Sequence, residues 1–111
     1  MKKVAIVTGG AIGYKDSGPS IGGAISIKLA QNGYSVIVVD MLDAGKGTVE
    51  KIKEHKGKGL FIKGDVTDSV FVRSVVKRAK KEYGGLTCLV NCVARYGSGM
   101  AKNIKEITEN E

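Results

Sequence analysis

Two glycine clusters and one acid supply the residue types from which a dinucleotide site is built. Thr8-Gly9-Gly10 stands before a loop, Ser20-Ile21-Gly22-Gly23 after it, and Asp40 lies 18 positions beyond Gly22. Glycines let backbone approach a pyrophosphate closely, and a helix N-terminus points N–H groups at it. An acid about 20 residues past such a loop is placed to accept from ribose hydroxyls. The glycine spacing departs from the common G-x-G-x-x-G. Read without a ligand, the same residues make a tight strand-to-helix turn in an α/β protein.

Those residues need elements to hold them. Val4 to Val7 is an apolar, β-branched run of the kind covered on both faces. Ile21, Ala24, Ile25, Lys28 and Leu29 recur at helical spacing, with Lys28 lending its stem. Gln31-Asn32-Gly33 ends that helix where a left-handed residue is favoured. Val36 to Val39 is a second buried strand, with Asp40 at its carboxyl end and Met41 next. The order is a βαβ unit.

On these residues the chain resembles the short-chain dehydrogenases/reductases. Thr8-Gly9-Gly10-Ala11 is similar to the family's opening Thr-Gly, and Ser20 to Ile25 to its Gly-Ile-Gly helix start. An insertion, Ile12 to Gly18, separates the halves, and Ser20 stands where the family has its middle glycine. A Ser-Ile start after a lengthened loop is similar to the enoyl-thioester-reductase branch. The resemblance implies cofactor contacts at Gly9, Ser20, Ile21, Gly22, Asp40 and Met41. It implies more at Asp65-Val66 after the third strand, against adenine, and at Asn91 and Val93 after the fourth, near the nicotinamide ribose. Only the first Asn of the family's Asn-Asn-Ala-Gly is matched, and Val93-Ala94 narrows that turn.

The rest of the chain supplies further elements. Leu42 to Lys56 reads as a helix with Val49 and Ile52 inward, a start weakened by Gly45 and Gly47, and His55 at its end. Gly57-Lys58-Gly59 turns into a third strand, Leu60 to Lys63. Asp65 can shape the next turn, and Thr67 or Asp68 can cap the helix Ser69 to Tyr83. That helix carries Val72, Val75, Val76, Ala79 and Tyr83 on one face and stops at Gly84-Gly85. Leu86 to Val90 is the fourth strand. A glycine-rich loop, Arg95 to Gly99, leads to Ile104 to Glu109, similar to the family's approach to its fifth helix.

Composition narrows the alternatives. At 111 residues the chain is at most one domain, with core enough in its 42% hydrophobic content. Net charge is +7, concentrated in Lys46 to Lys63 and Arg73 to Lys81, which solvated helix faces explain and a nucleic-acid patch would also use. Aromatics are 5%, with no Trp, so base-stacking platforms are scarce. Cys88 and Cys92 lie in or next to an apolar run, and His55 is the sole histidine, so the usual Cys/His zinc quartet cannot form within one chain. Inert buried thiols in a reducing cytoplasm fit best, with a reactive Cys92 as the alternative. No signal-like or membrane-spanning run appears, and a cytoplasmic protein is expected.

The fold expected is an α/β doubly wound parallel sheet of Rossmann type, strand order 3-2-1-4. Residues 1–111 read as the N-terminal part of a single NAD(P)-binding domain whose C-terminal catalytic half is absent. The family's acid/base tyrosine has a lysine four residues on. Here Tyr14, Tyr34, Tyr83 and Tyr96 are followed at that distance by Gly18, Val38, Thr87 and Met100. The chain alone is expected to be inactive and, through an open fourth strand, to self-associate. The resemblance implies hydride transfer between nicotinamide and a carbonyl or alcohol carbon in the full-length, homo-oligomeric protein. Asp40 favours NAD over NADP and Met41 offers no cation for a 2′-phosphate, with Lys15 in the insertion as the opposing feature. A non-catalytic nucleotide-binding or redox-sensing module, and a basic nucleic-acid binder, are the competing readings.

Overall fold

The computed structural model describes residues 2–11 and 20–93. The expectations for the insertion 12–18, the loop 95–99 and the segment 104–109 lie outside them. Among the described residues seven elements alternate: β1 (Val4–Thr8), α1 (Ile21–Gln31), β2 (Ser35–Asp40), α2 (Gly45–Glu54), β3 (Lys58–Lys63), α3 (Ser69–Tyr83) and β4 (Cys88–Asn91). The four strands form one parallel sheet in the order β3-β2-β1-β4, as expected.

Strand alternation sorts the core onto two faces. Val7, Val36 and Val38 point to one side, where Ala30 of α1 and Val49 and Ile52 of α2 cover them. Val4, Ile6, Ile37 and Val39 point to the other, under Val75 and Ala79 of α3. Helices on both faces and the reversal of strand order at β1 make the sheet doubly wound.

Several boundaries and faces differ from expectation. In α1 the buried residues are Gly22, Gly23, Ser26 and Ala30, while Ile21 is 77% exposed and Ala24 and Lys28 also face solvent. The helix approaches the β1 turn too closely for large side chains, and Ser26 is buried because its hydroxyl donates to Gly22 O at 2.8 Å. Helix α2 begins at Gly45 rather than Leu42, with no side-chain cap. Gly45 is buried beneath Phe61, whose ring would lie 2.2 Å from an added Cβ. Lys58 and Gly59 belong to β3, not to a turn, and Gly59 packs under Ile52.

Strand β4 starts two residues later than Leu86. The Thr87 hydroxyl accepts from Val4 N at 3.1 Å, taking the place of a strand carbonyl, so regular pairing begins at Cys88 with Ala5. Helix α3 matches its expected span. Asp68, not Thr67, caps it, its side chain accepting from Val70 N and Phe71 N. Gly84 ends it in the left-handed conformation, at φ 80°. Val72, expected on the inner face, is 39% exposed, and lines a groove of about 340 Å³ with Leu86 and Leu89.

Candidate cofactor-binding site

All four strands are parallel, so their carboxyl ends converge on one edge of the sheet. Gly9 leaves β1 there at φ 71°, with N–H donated to Val39 O at 2.8 Å. A Cβ on Gly9 would stand 2.7 to 2.8 Å from the backbone of Cys92 and Val93. A Cβ on Gly22 would stand 2.2 Å from Gly9 O. The first turn of α1 is thus pressed against the β1 exit, and only glycine permits it.

Ser20 is the N-cap of α1: its hydroxyl accepts from Gly23 N at 3.0 Å and donates to Ala11 O. The first ladder bond of the helix runs from Ala24 N to Ser20 O. The N–H groups of Ile21 and Gly22 precede that ladder and have no partner within the helix. They are the donors an anion would use.

Asp40 closes β2 beside this turn, half-buried. Its Oδ2 accepts from Ala11 N at 3.1 Å and its Oδ1 from Leu42 N at 3.0 Å. A carboxylate oxygen can accept twice, so each retains capacity for a further donor. Met41, next along, is 61% exposed. In register with Asp40 on β3 stands Lys63, whose ammonium lies 3.3 Å from Asp43.

The remaining expected residues divide. Asp65 shapes its turn, its Oδ1 accepting from Thr67 N at 2.9 Å and from the Thr67 hydroxyl at 2.7 Å. Val66 packs against the α3-side core. Asn91 belongs to β4 and its Oδ1 accepts from the Thr8 hydroxyl at 3.0 Å, joining the ends of β1 and β4. Val93 is exposed, with its backbone against Gly9. Cys88 and Cys92 are free and only half-buried, which corrects the expectation of buried thiols. Among the described residues no His, Cys, Asp and Glu side chains gather into a metal-holding group, and no helix is long and apolar enough to cross a membrane.

One contributor was not expected. Thr48 of α2 is fully buried and its hydroxyl donates to Gly10 O at 2.6 Å. Nothing in the spacing of Thr48 marks it, because its partner lies 38 residues away.

The family model described as short chain dehydrogenase matches residues 3–111. The chain belongs to that family. It is 36% identical over 114 aligned positions to L-2,3-butanediol dehydrogenase of Corynebacterium glutamicum, covering 100% of this chain and 40% of the relative. General stress protein 39 of Bacillus subtilis is 34% identical, over 98% of this chain and 36% of its own length. Among solved structures, a putative short-chain dehydrogenase/reductase from Burkholderia xenovorans superposes with a TM-score of 0.75 at 36% identity, over 86% of this chain and 36% of that one. A hydroxysteroid dehydrogenase from Escherichia coli gives 0.70 at 32% identity, over 80% and 35%. This short-chain dehydrogenase sequence therefore spans well under half the length of the relatives it matches.

Proposed function

We propose that this chain forms the NAD-binding part of an oxidoreductase that moves a hydride between nicotinamide and a carbonyl or alcohol carbon. The reading rests on one observation. The Gly9–Gly22 contact, the N-terminus of α1 and the Asp40 carboxylate meet at the carboxyl ends of β1 and β2 in a member of the short-chain dehydrogenase family. Gly22 lets the first turn of α1 press against Gly9 O, which brings the Ile21 and Gly22 N–H groups to the carboxyl ends of the strands, where a pyrophosphate would use them, and the family membership raises that reading above a mere tight turn.

The cofactor supplies the hydride chemistry when bound. The chain's residues bind and orient it: Ile21 N and Gly22 N at the pyrophosphate, Asp40 at the adenosine ribose, Asp65 and Val66 at the adenine, and the Asn91 to Val93 backbone at the nicotinamide ribose. Met41 brings no cation to the ribose, and the exposed Lys63 ammonium is paired with Asp43 at 3.3 Å. Both favour NAD over its 2′-phosphorylated form.

Titration with NADH, followed by nicotinamide fluorescence, tests the proposal. Saturable binding that ADP-ribose competes away is expected. A folded chain that binds neither would overturn it.

A further inference from the structure

We propose that Thr48 is a positioning residue for the dinucleotide, holding the peptide that links the Asp40 carboxylate to the N-terminus of α1. The inference rests on the dinucleotide reading above. Gly10 O and Ala11 N belong to a single peptide unit. Thr48 donates to its carbonyl at 2.6 Å, and its N–H donates to Asp40 Oδ2 at 3.1 Å. The unit is clamped from both sides, from α2 and from the end of β2. Turning it over would break both bonds at once.

Turning the unit over rotates ψ of Gly10 and φ of Ala11, and a glycine on its N-terminal side removes one of the two steric restraints on that rotation. The next carbonyl along, Ala11 O, receives the Ser20 hydroxyl, and Ser20 caps α1 through Gly23 N. The clamped peptide thus aims the carboxylate that would meet the ribose, and it leads into Ala11, whose carbonyl receives the cap behind the N–H groups that would meet the pyrophosphate. Ser26 and Thr48 are both fully buried with their hydroxyls bonded, but Ser26 donates within its own helix, to Gly22 O. Thr48 alone of the two joins separate elements. A hydroxyl chosen only to satisfy itself would bond to its own preceding turn, as Ser26 does.

Thr48→Val keeps the branched shape and removes the donor, leaving Gly10 O buried without it. Thr48→Ser keeps the donor. NADH titration of the full chain, with folding checked by circular dichroism, should show binding weakened about tenfold in Thr48→Val and changed less than about twofold in Thr48→Ser. In an Asp40→Ala background the Thr48→Val effect should shrink to under about twofold, because the clamp has lost its other jaw. A purely structural Thr48 would give the same loss with and without Asp40, or no loss among folded molecules, and either result overturns the inference. If Thr48→Val does not fold, Thr48→Cys, a weak donor of similar size, should weaken binding several-fold. Absence of NADH binding by the wild type would instead overturn the dinucleotide reading, and this inference with it.

Discussion

A Cβ placed on Gly22 would stand 2.2 Å from the carbonyl oxygen of Gly9 and 2.8 Å from its carbonyl carbon. Both obstacles are backbone, so no side chain can swing aside. Gly9 itself is backed by the Cys92–Val93 backbone, within 2.8 Å of its own added Cβ. Gly22→Ala must therefore push α1 off the sheet. Alanine gains roughly 1 kcal/mol of helix propensity over glycine, less at a first turn. Overpacking costs about 1–3 kcal/mol. The variant should unfold at lower urea and lose NADH affinity, and an unchanged midpoint would show that the turn yields.

That contact also hides the inner face of α1 from the sequence pattern. The central strands were legible because Val4 to Val7 and Val36 to Val39 are apolar runs, and the order because right-handed crossovers wind the first two units one way from β1 and the third the other way. The glycines and Asp40 were legible as a set. The buried face of α1 was not. Periodicity counts apolar bulk and so selects Ile21 and Leu29, whereas the close approach to Gly9 selects the small Gly22, Gly23, Ser26 and Ala30. Leu29 packs only at the margin of the core. Thr48 escaped for a related reason: a threonine in a charged helix reads as neutral until the fold brings Gly10 O to it.

Tyr83 carries a pH dependence of known sign. Burial pushes its phenol above the ordinary value, the Glu82 carboxylate adds to this, and Arg78 opposes it. The unfolded chain ionises near pH ~10, while the folded chain keeps the proton to higher pH. From about pH 10 up to the raised folded value the unfolded state holds fewer protons, so stability falls as pH rises. Tyr83→Phe should lose less stability than the wild type when urea midpoints are compared from about pH 9 to about pH 11. Parallel curves would exclude this contribution.

Leu89 is 58% exposed on β4 and lines the groove with Val72 and Leu86. Among the described residues β4 pairs only with β1, leaving its other edge without a strand. An apolar open edge is a template for pairing with another chain. The 111-residue chain prepared by itself should self-associate in sedimentation experiments, and Leu89→Lys should shift it toward monomer. A wild type monomeric at high concentration would contradict the expectation.

Asp40 should decide between the two nicotinamide dinucleotides. Its oxygens are aimed by Ala11 N at 3.1 Å and Leu42 N at 3.0 Å, and each can accept once more. Two adjacent ribose hydroxyls match that pair of acceptor oxygens, whereas a 2′-phosphate would bring like charge to them. At about 4 Å and an effective dielectric near 20, a pair of unit charges costs on the order of 4 kcal/mol before relaxation and screening. A quarter of that still favours NAD about fivefold. The nearest opposing cation by register is Lys63, and Asp43 holds it at 3.3 Å with both side chains exposed. Asp40→Ala also removes the bonds to Ala11 N and Leu42 N, so absolute affinities should fall for both cofactors. The ratio cancels that shared loss. It should favour NAD in the wild type and narrow or reverse in Asp40→Ala, while Asp43→Ala, by releasing Lys63, should raise NADP affinity alone. Equal wild-type affinities, or a ratio unmoved by Asp40→Ala, would mean that the choice is made elsewhere.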